Sequence, residues 1–316
     1  MPISPFHEGE LALQRSAGSI VRLAEVGPRF IRDYMPEQHR EFFAQLPFLV
    51  IGALDAQGQP WASVLVGPPG FARSPDPRQL AVGAQPGPDD PLAQAVTVGA
   101  PLALLGIEPH TRRRNRMNGH VTQSDAAGFV LHVDQSFGNC PKYIQARQPQ
   151  FVAATARPGA ARQYEALDDA AQRLVRSADT LFIATAHPMA GQSEVRAFGA
   201  DVSHRGGKPG FVRVDGRSQL TIPDFAGNQY FNTLGNVALN PRCGLLFIDF
   251  DRGDLLYLAA RGEIIAGGHE VQAFQGAQRL LRLQVVSALQ IANALPLHWG
   301  ASQPSPALEN TGRWAA

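Results

Sequence analysis

Hydrophobic positions in this chain come in short runs, some alternating with polar residues and some unbroken, separated by Gly, Pro and Asp. Such runs predict antiparallel strands over Val50–Ala53, Ala62–Val66, Gln79–Val82, Leu102–Ile107, Asn115–Val121 and Phe129–Val133. A second series covers Leu181–Ala184, Val202–Arg205, Phe211–Val214, Leu220–Ile222, Leu245–Ile248 and Leu255–Ile264. Helical spacing or a leading Pro predicts helices at Pro36–Leu46, Pro141–Gln148, Ala166–Arg176 and Gln229–Leu239, with a long final helix over Val271–Leu295. The fold class is therefore mainly β with helices, an α+β chain of small barrels with helices in their crossovers.

The two series are related by a nearly constant offset. "ASVLVGPPGF" from Ala62 aligns with "VSHRGGKPGF" from Val202, so that Ser63 meets Ser203 at an offset of 140. Leu104–Ile107 meets Leu245–Ile248 at 141, Gly119 meets Gly262 at 143, and Leu49 meets Leu181 at 132. One match would mean little, but a steady offset predicts two copies of one unit. The division is 1–41 as an N-terminal helical segment, 42–150 as copy 1 and 151–177 as a helical linker. Copy 2 follows at 178–270, then a C-terminal helix and tail at 271–316. The Ala/Pro/Gly-rich stretch Gln148–Gln163 is the natural join.

Charge narrows the function. With 28 Lys plus Arg against 27 Asp plus Glu, the chain lacks the net basic face of a general nucleic-acid binder. No aromatic residues interleave with Arg112, Arg113, Arg114 and Arg116 as a nucleic-acid patch would require. Two cysteines, Cys140 and Cys243, cannot build a disulfide framework, and no signal peptide or membrane-length apolar run is present. A cytoplasmic protein without membrane attachment is expected. The histidines and carboxylates show no metal-ligand spacing, so no metal is expected.

One tract stands out chemically. "SHRGGK" places Ser203, His204, Arg205, Gly206 and Lys208 within six residues, the hydroxyl, imidazole, cations and permissive backbone that suit a phosphate monoester. "PDFAGNQ" then runs Pro223, Asp224, Phe225, Gly227 and Asn228 into a predicted helix start, where free N–H groups favour an anion. Plainer roles suit the same residues: a solvent-facing strand for His204, edge-strand charges for Arg205 and Lys208, a helix cap for Asp224 and Asn228. Copy 1 offers Val64, Leu65, Val66, Pro88, Asp89 and Asp90 at the matching positions, a set that repels phosphate. No Gly-x-Gly-x-x-Gly turn points to a dinucleotide.

With "FGNCPKYIQ" (Phe137–Gln145) added to these two tracts, the sequence resembles the pyridoxamine 5′-phosphate oxidase-like FMN-binding split barrels, in their flavin-nucleotide-binding branch. The resemblance implies tandem split β-barrels with FMN at their interface. Copy 2 would cradle phosphate and ribityl; copy 1 would supply Asn139, Cys140 and Lys142, with Arg114 or Arg116 from the strand that touches the neighbouring barrel's flavin. It departs from the family in splitting the Gly-Asn and Cys-Pro-Lys motifs between copies. The implied activity is an FMN-dependent oxidoreductase taking hydride from NAD(P)H or a similar donor to a small-molecule substrate, and the implied assembly is a homodimer. The alternative is a non-catalytic flavin or haem carrier, with His204, His187 or His269 as iron ligand. Catalytic side chains and the substrate are not assigned.

Overall fold

The computed structural model describes residues 4–152 and 158–314. Three helices lead the chain: α1 (Glu8–Ser16), α2 (Ile20–Phe30) and α3 (Glu37–Ala44). At the start of α1, His7 Nδ1 accepts the Gly9 N–H while the Glu10 carboxylate accepts the His7 N–H, which satisfies two orphan donors at once.

The first sheet comprises β1 (Phe48–Leu54), β2 (Pro60–Val66), β3 (Ala72–Arg73), β4 (Gln79–Val82), β5 (Pro101–Glu108), β6 (Arg113–Asp125) and β7 (Gly128–Gly138). Its order is β2-β1-β5-β6-β7-β4-β3. Two short strands, β8 (Pro149–Phe151) and β9 (Arg162–Tyr164), and helix α4 (Asp169–Ser177) follow, and residues 153–157 of the predicted join lie outside the described residues. The second sheet comprises β10 (Thr180–Ala186), β11 (Ala200–Gly206), β12 (Arg213–Asp215), β13 (Gln219–Phe225), β14 (Arg242–Ile248), β15 (Leu255–Ile265) and β16 (Ala277–Ile291). Helix α5 (Asn232–Leu239) lies between β13 and β14, and α6 (His269–Gln272) precedes β16; β17 (Leu297–Trp299) pairs with β8.

The second order, β11-β10-β14-β15-β16-β13-β12, reproduces the first strand for strand. Register agrees too. Ile51 faces Ser63 as Ile183 faces Ser203, and Leu105 faces Arg116 as Leu246 faces Tyr257. Neither path closes on itself among the described strands, so barrel closure is not part of the pairing. No helix among the described residues is long and apolar enough to cross a membrane.

Two expected helices are absent. Most of the stretch assigned to a long final helix is β16; α6 stops at Gln272, and Gly276 at φ 85 turns the chain into the strand. Leu281, Leu283 and Val285 alternate into the second core; a bulge then turns Val286 out, 54% exposed, and Ala288 resumes the inward face. The resulting 281, 285, 288 spacing imitates a helical stripe. Pro141–Gln148 is not helical either: Tyr143 adopts φ 66, and Tyr143 and Gln145 bond to Ser305. Helix α5 starts after the expected Gln229, because Gln229 and Phe231 are left-handed at φ 64.

The sheets pack through β1, β2 and β5 of one against β10, β11 and β14 of the other. Glycine permits that approach at Gly244, where an added Cβ would stand 2.2 Å from the Pro60 carbonyl oxygen. Backbone cannot move aside as a side-chain tip can. Gly244→Ala is therefore expected to lower stability by about 1–3 kcal/mol or more, read as a lower denaturation midpoint with an unchanged slope.

Candidate functional site

Where the sheets meet, a cleft opens with about 120 Å³ of interior space, or about 880 Å³ counting its open mouth. Sheet one contributes Arg114 and Arg116 from β6 and Asn139, Cys140 and Lys142 from the loop after β7. Sheet two contributes Ser203, His204, Arg205 and Gly206 on β11, Pro223, Asp224 and Phe225 on β13, and Gly227 and Asn228 in the turn before α5. Lys208 alone of the residues expected here does not line it: its ammonium donates to the Thr311 carbonyl at 2.6 Å. Its position after Gly206 and Gly207 carries it past the end of β11.

Sequence reasoning missed Tyr143, Gln229, Phe231, Asn232, Thr233, Leu234, Gln278 and Arg279, which complete the lining. Arg279 sits in the stretch taken for helix. The Asn232–Leu234 start of α5 could have been found only by locating the helix N-terminus after the left-handed Phe231.

Close approach fixes the loop from sheet one. A Cβ at Gly206 would lie 2.0 Å from the Tyr143 carbonyl oxygen, so only glycine lets the Cys140–Tyr143 segment cross β11 here. Behind it, Arg116 Nη1 donates to Asp201 (2.7 Å) and Asn232 Oδ1 (2.9 Å), and Nη2 donates to Ser203 Oγ (2.5 Å). Thr233 Oγ1 donates to Ser203 at 2.8 Å. Arg116 Nε is buried without a protein acceptor.

Arg114 is differently placed. Its Nε donates to the Cys140 carbonyl (2.8 Å) and its Nη1 to His204 Nδ1 (3.1 Å); it has no carboxylate partner among the described residues. Burial, with Arg116 and Arg205 nearby, draws its pKa down to about 10, so it stays cationic at neutral pH. His204 must accept from Arg114, which places its proton on Nε2, and burial among Arg114, Arg205 and Arg147 holds it neutral, well below the ordinary range. At the other wall, Asp224 is shared by Arg205 (2.6 Å) and Arg279 (2.7 Å). Four arginines and Lys142 thus face one lining carboxylate, and α5 opens into the cleft with no side-chain cap. The arrangement suits an anion.

The matching place on the other side of the interface is filled from within. Tyr257 holds the register position of Arg116, and Ser63 that of Ser203. Asp90 lies between them, accepting from Ser63 Oγ and from Tyr257 Oη at 2.9 Å. Burial raises the Asp90 carboxyl. Cations are replaced by a plug of hydroxyls and one carboxyl.

His187 stacks on Phe198 at 3.9 Å and pairs with Glu8, and His269 is exposed on α6, so neither reaches the cleft. His7, Glu8 and His187 lie within reach of one metal ion. The Gly9 and Met189 N–H groups donate to the two Nδ1 atoms, so each neutral ring keeps its proton on Nε2 and neither offers a free lone pair.

No protein-family model and no curated protein matches the sequence. Among solved structures, a histidine-to-alanine variant of HupZ from Group A Streptococcus is 11% identical, with 39% of this chain and 98% of that one covered, at a TM-score of 0.30. A candidate pyridoxamine 5′-phosphate oxidase from Lactobacillus delbrueckii is 12% identical over 40% of this chain and 94% of its own, also at 0.30. The K. pneumonia MrkH complex with c-di-GMP overlaps 78% of this chain and 81% of that one, at 10% identity and a TM-score of 0.23.

Asp224→Asn separates two effects. It removes the counter-charge of two guanidiniums and is expected to lower thermal stability by about 1–3 kcal/mol. It also removes the only carboxylate among the described lining residues, so inorganic phosphate should bind several-fold tighter in a titration of the same variant.

Proposed function

We propose that the cleft binds FMN by its phosphate and that the chain is an FMN-dependent oxidoreductase built from two copies of one split-barrel unit. The carrying observation is Arg114, a cation with no carboxylate partner among the described residues, lining one cleft with Lys142 and the uncapped start of α5. A guanidinium in so poorly hydrated a place is stabilised by an anion supplied from outside the chain. A phosphate monoester also suits the charged guanidinium donors that Arg114 and Arg205 bring to the cleft. Tyr143 and Phe231 add aromatic surface for the rest of the molecule. The cleft is small inside and open at its mouth, which suits a ligand held by its phosphate with part of it reachable by a second reactant.

When bound, FMN supplies hydride transfer at its ring. The chain's residues do the rest. Arg114 and Lys142 meet the charge of the phosphate, Arg116 holds Ser203 and Asn232 in place behind them, Gly206 admits the loop that walls the cleft from water, and neutral His204 holds its Nε2 proton as a fixed donor rather than an acid. No side chain is assigned as acid or base. NAD(P)H or a similar donor, and a small-molecule acceptor, are the proposed reactants.

FMN titrated into apo-protein with fluorescence quenching should saturate at about one flavin per chain, because Asp90 occupies the second place. An endpoint near two would refute that. Arg114→Ala and Arg205→Ala should each weaken binding by about 1.5–3 kcal/mol, the range for bonds to charged groups, whereas Lys208→Ala should leave it unchanged. Bleaching of the bound flavin by NAD(P)H supports an enzyme; unbleached flavin supports a carrier.

A further inference from the structure

The inner wall of the cleft rests on a residue that belongs to neither sheet. Glu10, on α1, is only 3% exposed. One carboxylate oxygen accepts the His7 N–H at 2.9 Å, and the other accepts the side-chain amide of Asn232. The Asn232 carbonyl then accepts Arg116 Nη1 at 2.9 Å. The helix carrying Glu10 is seated without slack: a Cβ on Gly9 would stand 2.3 Å from the Gly235 carbonyl oxygen, and one on Gly235 would stand 2.7 Å from the Glu10 nitrogen.

An asparagine side chain has a donating end and an accepting end. By taking the donating end, Glu10 leaves only the carbonyl for Arg116. Reversed, Asn232 would set N–H against N–H. We propose that Glu10 is a positioning residue for the cleft, fixing the sense of Asn232 and through it the guanidinium of Arg116. This rests on reading the cleft as an anion site.

The same chain of contacts makes the charge of Glu10 matter. The groups facing it are His7 in its own turn (3.5 Å), Asn232 of α5, Arg116 of β6 and Asp201 of β11, with Glu8 and His187 beyond His7. Burial, with Asp201 adding to it, raises the Glu10 carboxyl to about 8. Neutral below that value, Glu10 leaves Arg116 balanced by Asp201 alone. Ionised above it, Glu10 adds a second negative charge behind Arg116, and a bound phosphate is repelled. Affinity therefore falls as pH rises through about 8. The second ionisation of FMN's phosphate monoester lies lower, at about 6, Arg114 titrates higher, at about 10, and His7 lower, at about 4; inorganic phosphate itself ionises close to the range tested and so reports only whether the cleft takes an anion. Cys140 also lines the cleft, and the proteins to be tested carry Cys140→Ser so that no thiol contributes to the profile.

The test uses the full chain and two probes, FMN by fluorescence quenching and inorganic phosphate by ³¹P line broadening, between pH 7 and 9. The Cys140→Ser protein should bind both probes at pH 7 and lose affinity for FMN by on the order of tenfold across that range. Adding Glu10→Leu should weaken binding at pH 7, because Asn232 loses its acceptor; adding Glu10→Gln, whose carbonyl can still accept from Asn232 but which cannot ionise, should flatten the pH profile. Circular dichroism and melting confirm that each variant is folded; if one is not, the profile of the Cys140→Ser protein decides. A steep profile that survives Glu10→Gln, or a flat one in the Cys140→Ser protein, overturns the assignment of Glu10 while leaving the cleft an anion site. Binding of neither probe overturns the cleft reading, and the role of Glu10 with it.

Discussion

Everything in the cleft depends on one buried ion pair that crosses between the sheets. Arg116 leaves β6 of the first sheet and meets Asp201 on β11 of the second at 2.7 Å, with both side chains almost wholly buried. Such a pair adds little net stability, but breaking it is costly because either charge alone is left unsolvated. It therefore specifies geometry. With Arg116 also committed to Ser203 and Asn232, the first sheet can sit against the second in one register, and that register brings Arg114 and the start of α5 to the same opening.

The two sheets share strand order and pairing register, yet their crossing points differ in charge. At one, arginines from sheet one face hydroxyls and helix N–H groups of sheet two. At the other, Tyr257 and Ser63 enclose Asp90. Few side chains separate the two outcomes: Arg116 against Tyr257 at equivalent register, and a carboxyl delivered by the loop after β4. A cleft open to an anion and a plugged one thus arise on matching backbones, because the sign of buried charge is set by side chains while the backbone pairing tolerates either.

Much of this was legible in the sequence where spacing is local. "SHRGGK" and "PDFAGNQ" announced a cluster of anion donors, and all but Lys208 of the residues named from them line the cleft. Strand patterning located the sheets because β1, β2, β5, β10 and β14 are short apolar runs buried on both faces, while β4 and part of β7 alternate. It failed at β16, where a single bulged residue, Val286, shifted the phase and produced helical spacing. It failed again at Pro141–Gln148, where a Pro suggested a helix start and contacts with Ser305 impose a turn. Nothing local marked Glu10 or Arg279: their roles come from partners 222 and 55 residues away.

The central claim, that arginines from both sheets converge on one phosphate, is tested most directly by the ³¹P resonance of protein-bound FMN followed against pH. Guanidiniums and helix N–H groups at the phosphate should hold it dianionic, moving its second ionisation well below the free value of about 6. Arg116→Met should return it toward that value. A bound phosphate that titrates as it does in water would contradict the account.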